Sequence, residues 1–286
     1  MFVLVAALVL IAPLSAQDAA SVIDAASKAM GTSTLQAIAY TGTGSVNPTG
    51  QSEITGGPWP RFTVTKYVVL VNYAVPAMRQ ELVRIDDSNP PRGGGAGGYN
   101  PQTFQGGIRP IPGDIIQNTN VDGRTETGAL NLFLSPHGFL KGAAANAASA
   151  KVATVKGKKV VSFTAFNKYT VSGTLSDDNL VERVETKMDV SFTGDTLFEG
   201  IYTGYRDFGG VKFPSRVVMR QGGFPILDIA VASVMPNSAA ATQIGTGPAP
   251  TPPAPMPLRI QPEKIGEGVW VMGPGVGATI VEFKDY

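Results

Sequence analysis

The sequence predicts an α+β fold that is mainly β: a curved antiparallel sheet with two covering helices, then a Pro-rich linker and an orphan β-hairpin. Three observations predict it. Gly and Pro, 34 and 22 of 286 residues, make up about a fifth of the chain and punctuate short β-branched runs. The stretch from Leu180 to Val234 reads as consecutive strands joined by Gly-Gly turns. Apolar helical spacing occurs at only two places.

The first twelve residues, MFVLVAALVLIA, are an unbroken apolar run followed by Pro13, Leu14, Ser15 and Ala16. This run is shorter than the ~20 apolar residues of a membrane helix, and a small residue stands where a signal peptidase cuts. A signal peptide over 1–16 is expected, hence export to a periplasm or beyond. Leu14-Ser15-Ala16 would precede a lipidated Cys in a lipoprotein, but position 17 is Gln, so no lipid anchor is expected. Asp18 then caps a helix in which Val22, Ile23 and Ala26 share a face and which Gly31 ends.

The domain that follows is assigned to 17–235. Phe62 to Tyr73, Arg79 to Ile85, Val160 to Ala165 and Tyr169 to Leu175 read as strands, and Asn89 to Gly113 as a long Gly- and Pro-rich loop. Ser135-Pro136 is a cap and first position for a second helix through Phe139 and Leu140, although Gly138 and Gly142 weaken it. Val184, Thr186, Met188 and Val190 alternate with Glu185, Lys187 and Asp189, a half-buried strand with one wet face. Strands over 197–205, 211–219 and 224–234 complete a meander, with Pro214 requiring a bulge or a locally free edge. Residues 236–262 are a Pro-rich linker. In 263–286 only Val269 to Met272 and Ala278 to Phe283 look like strands, and two strands cannot form a core.

Composition removes several functional classes. With no Cys and one His, His137, the chain has neither thiol chemistry nor the two or three imidazoles of a catalytic zinc site. A net charge of +1 offers no field for nucleic acid. The Gly-rich stretch Arg92 to Gly98 lacks the Lys and helix of a phosphate loop. Asp86-Asp87, Asp177-Asp178 and Glu182/Glu185 read as solvated carboxylates, and Lys151, Lys156, Lys158 and Lys159 as the basic tip of a hairpin. His137 reads as structural, its ring closing on Phe139 or a backbone carbonyl. No catalytic, cofactor-binding or metal-binding residue is identified. The aromatics Tyr40, Trp59, Phe62, Tyr67, Tyr73, Phe163, Phe198 and Tyr202 suffice to line a concave sheet: packing is the default role, and an apolar groove for a lipid or acyl chain, formed by Tyr40, Trp59, Phe62, Tyr67, Phe163, Phe198 and Tyr202, is the sharper one.

Residues Ile265, Gly268, Val269, Trp270 and Val271, then Val281, Glu282, Phe283 and Asp285, resemble the opening hairpin of metallo-β-lactamase (MBL)-fold hydrolases. Upstream, Gly57 to Phe62, Pro90 to Gly95, Ser135 to Lys141, Val181 to Thr186 and Gly209 to Pro214 resemble the exported region that precedes that fold in bacterial members. The family's zinc chemistry rests on an H-x-H-x-D-H run that this chain does not contain, so its catalytic residues have no counterpart here. The resemblance implies an exported accessory module of an MBL-fold metallo-hydrolase, inactive as it stands, with zinc confined to a downstream domain. The meander with Tyr202, Tyr205, Gly210 and Phe213-Pro214 is also similar to the half-barrels of LolA-type periplasmic lipoprotein carriers. That likeness implies the alternative: a periplasmic carrier holding a lipid, acyl chain or lipoprotein on its concave sheet.

Overall fold

A single sheet dominates the structure, and the chain reaches it through an amphipathic helix. The computed structural model describes residues 16–48, 59–85, 115–190, 193–247, 261–273 and 278–284. The apolar leader, the Gly-rich loop with Asp86-Asp87 and Arg92 to Gly98, and the Pro-rich centre of the linker lie outside these residues.

Helix α1 (Ala16–Met30) starts two residues before the expected Asp18 cap. It buries Ala19, Ile23, Ala26 and Met30, spaced three or four apart along one face. It ends at Gly31, whose φ of 67° suits a left-handed stop. A Cβ at Gly31 would lie 2.0 Å from the Gly210 carbonyl oxygen, so the helix end sits directly on the sheet.

The strands are β1 (Ala37–Val46), β2 (Phe62–Asn72), β3 (Ala77–Ile85), β4 (Ile115–Asp122), β5 (Lys151–Val155), β6 (Lys158–Ala165), β7 (Tyr169–Leu175), β8 (Val181–Val190), β9 (Gly194–Phe208), β10 (Val211–Gln221) and β11 (Phe224–Pro236). All eleven join one antiparallel sheet in the order β4-β3-β2-β1-β11-β10-β9-β8-β7-β6-β5. Two meanders are therefore sewn together where the first strand meets the last. Val184, Thr186 and Met188 are buried and Lys187 and Asp189 exposed, the alternation the sequence predicts. The first residues of β10, up to Ser215, pair only with β9, so Pro214 withholds no hydrogen bond from β11.

Helices α2 (Glu126–Phe133) and α3 (Pro136–Ala145) occupy the connection from β4 to β5. Their N-caps are built alike: Thr125 Oγ1 accepts from the Gly128 amide and Ser135 Oγ from the Gly138 amide, each at 3.1 Å. The helix expected at Ser135-Pro136 is present, but α2 was not expected, so three helices rather than two cover the sheet. The glycines that weaken α3 on propensity serve its packing. A Cβ at Gly142 would come within 2.7 Å of the Phe133 ring and 2.9 Å of the Phe163 ring.

Curvature follows from the contacts of α2, which touches β3 and β4 as well as β8. Seven strand spacings separate β4 from β8. Laid flat they would span roughly 34 Å at ~4.8 Å each, against a helix about 10–12 Å wide. The sheet is thus curled into an open trough.

The first compact unit ends at Gly247 and the second comprises 248–286. The start of the segment expected as linker belongs to the first unit. Its short helix α4 (Ala239–Thr242) packs Ala241 on Ala37 and Ala39, and the buried Asn72 donates from Nδ2 to the Thr242 and Ile244 carbonyls, both at 2.9 Å. The second unit holds three strands, β12 (Gln261–Gly266), β13 (Val269–Gly273) and β14 (Ala278–Val281), where two were expected. Among the described residues no helix is long and apolar enough to cross a membrane.

Candidate functional site

The helices fill only one half of the trough. Phe139, Leu140 and Ala143 of α3 and the buried face of α1 pack on β6 to β9 through Val161, Phe163, Val171 and Val184. Over β1, β2, β3, β10 and β11 the sheet faces a cavity of about 400 Å³, within the usual range for small-molecule sites. Its roof is the α2–α3 junction, with Leu132, Leu134, Ser135 and Pro136. The Tyr202 hydroxyl donates to the Leu134 carbonyl and ties this roof to the floor.

Of the seven aromatics expected to form a groove, Tyr40, Tyr67, Phe198 and Tyr202 line this cavity, as does Tyr73. The other three do not. Phe163 lies under α3, with ring centroids 5.4 Å from Phe133 and 5.8 Å from Phe139. Phe62 is buried beneath the Arg84 guanidinium, which sits 4.3 Å from its ring centroid. Trp59 precedes β2 and packs on the exposed Phe224 at 4.8 Å. Composition treats these rings alike, whereas the trough gives its helix-filled half to Phe163 and its open half to Tyr40, Tyr67, Phe198 and Tyr202. Apolar residues not among the groove candidates complete the lining, among them Val71, Leu82, Phe213, Val217 and Leu227. Strand parity could have found several of them: Tyr67 and Val71, Met78 and Leu82, Val217 and Met219 each share a face at period two.

Among the described residues the polar part of the lining is neutral. It consists of phenols, the carboxamides of Asn47, Gln80, Gln117, Asn131 and Gln221, and the Ser135 hydroxyl. Burial pushes the Tyr40, Tyr67, Tyr73 and Tyr202 phenols upward, so they remain protonated donors across the physiological range. Tyr67 Oη donates to Gln80 Oε1 at 2.9 Å. Ser135 Oγ donates to the Leu132 carbonyl at 2.7 Å and accepts its cap bond from the Gly138 amide, so its proton is committed to a backbone carbonyl.

His137 is fully buried at the start of α3. Its Nε2 lies 3.3 Å from the Met30 carbonyl, and its ring stacks on Phe213, not Phe139, at 5.9 Å and 6°. Desolvation lowers its pKa to about 4. The carboxylates expected to be solvated are partly paired: Arg183 bridges Glu185 and the buried Glu199 at 2.5 Å each, and Lys158 meets Glu182 at 3.3 Å. Among the described residues no group of three His, Asp or Glu side chains is placed to hold a metal ion.

No family model and no curated protein matches the chain. Among solved structures it is similar to a LolA superfamily protein from Nitrosomonas europaea, at 10% identity and a TM-score of 0.35. It is also similar to a DUF1329 family protein from Desulfovibrio piger, at 11% and 0.37, and to a domain described as an outer membrane lipoprotein-sorting protein from Vibrio parahaemolyticus, at 9% and 0.37. Each match covers 77% of this chain and 94% of the other. Identities and TM-scores this low carry no argument about this chain's fold or ligand. The resemblance of residues 263–286 to MBL-fold hydrolases, and the downstream zinc domain it implies, find no support in these comparisons.

Proposed function

We propose that this chain is an exported carrier that binds an apolar molecule, a lipid or an acyl chain, in the cavity between the concave sheet and the α2–α3 junction. One observation carries the reading: about 400 Å³ of the trough is left unfilled by the helices and is lined by apolar and neutral polar side chains. Closing such a space by collapse would gain packing, so a protein that keeps it open under a tied roof holds it for an occupant. The signal-like leader adds export and the aqueous surroundings in which an apolar cargo needs cover.

The test is native mass spectrometry of the chain from Gln17 onward, as purified and after addition of palmitoyl lipids. Adducts of lipid mass are expected, and Met219→Trp, which places a large ring in the cavity, is expected to lower their occupancy at least tenfold. Absence of any adduct, or adducts indifferent to Met219→Trp, would overturn the reading.

A further inference from the structure

Tyr67 gives its single proton to Gln80 Oε1, and the Tyr40 ring lies beside it with centroids 6.1 Å apart. The bond ends on a carboxamide whose oxygen is engaged and whose N–H groups are its remaining polar function. Tyr202 is likewise committed, to the Leu134 carbonyl.

None of the described residues that line the cavity carries a charge. Among the described residues, Arg84 and Lys141 stand next to lining residues and each is stacked on an aromatic ring: Arg84 two residues beyond Leu82 on β3, over Phe62, and Lys141 with its Nζ 5.7 Å from the Tyr73 ring centroid. A carboxylate drawn into this lining would lose its water and meet no cation among the described lining residues, which disfavours it. A neutral carbonyl needs only a donor.

The geometry points to a ligand whose polar end is an uncharged hydrogen-bond acceptor, an acyl ester or amide rather than an ionised fatty acid, with its carbonyl received by the Gln80 carboxamide. This rests on the apolar-ligand reading above and sharpens it to a chemical class.

The experiment is displacement of Nile red from the full chain at pH 8 by three ligands of one chain length: monopalmitoylglycerol, palmitamide and palmitate. The ester and the amide are expected to displace the dye at concentrations at least tenfold below those of palmitate. In Gln80→Leu, whose thermal midpoint is measured alongside, the ester is expected to lose about tenfold while hexadecane displaces as before. Palmitate equal to or better than the ester would overturn the neutral-head inference and leave the apolar site standing; so would an ester affinity unmoved in a folded Gln80→Leu. If Nile red does not bind, or none of the palmitoyl ligands nor hexadecane displaces it, the inference and the reading beneath it both fail.

Discussion

His137 shows how a single side chain links the fold to pH. Its ring is enclosed by Phe213, the Met30 carbonyl at the end of α1, and Lys141 one turn along α3, a setting that favours the neutral form. The folded pKa is about 4 and the ordinary value 6.5, so below pH 6.5 the unfolded chain takes up a proton that the folded chain refuses. Stability therefore falls as pH drops from 6.5 to 4, by about 3 kcal/mol at 1.36 kcal/mol per unit, and this part of the dependence is flat above 6.5. Urea unfolding of the protein and of His137→Phe across that window is expected to show the slope reduced in the variant. Equal slopes would mean that the burial of His137 contributes nothing to acid sensitivity. The sequence identifies this residue as structural, its ring closing on Phe139 or a backbone carbonyl; the structure has the carbonyl of Met30, and the ring it stacks on is Phe213. Phe213 lies on β10, and only the curl of the sheet brings that strand to α3.

At the scale of the element, the caps of α2 and α3 govern how the roof of the cavity is held. Ser135 both accepts from the Gly138 amide and donates to the Leu132 carbonyl, joining the two helices at their junction. Ser135→Ala is expected to cost about 1–2 kcal/mol in urea unfolding, with Ser135→Thr recovering most of it. A Ser135→Ala protein as stable as the parent would show that the junction does not depend on this cap. The cap is readable because Ser is favoured at the N-cap and Pro at the first helical position. Helix α2 carries the same device at Thr125, but its eight residues are too few for a clear period, and it was missed. Strand pairs from β6 to β11 were legible because alternation and Gly-Gly turns are local signals. The third strand of the small C-terminal sheet was not, since Gln261 to Gly266 has no alternation and starts in Pro-rich sequence.

The whole molecule divides at Gly247, and the segment before that point belongs to the main fold. A chain ending at Gly247 is expected to keep the thermal midpoint of the first unit. One ending at Asn237 loses α4, leaving Asn72 without its two carbonyl acceptors and uncovering Ala37 and Ala39, and is expected to be about 2 kcal/mol less stable. Equal stability of the two shortened chains would make α4 an ornament. Composition reads 236–262 as linker because Pro dominates it and it has almost no charge. Its first residues hold little Pro, and the small side chain of Ala241 seats against two alanines of β1.

What the sequence determined by itself is whatever depends on near neighbours: the antiparallel strands with their buried faces, the capped helix at Ser135, and a composition with no thiol and a single imidazole. What the tertiary structure alone decided is which aromatics face empty space. Tyr40, Tyr67, Phe198 and Tyr202 line the cavity while Phe163 is packed solid. That outcome turns on α1 and α3 filling one half of a trough and the α2–α3 junction roofing the other, in a sheet whose curvature is a property of all eleven strands together, and no short window of sequence carries it.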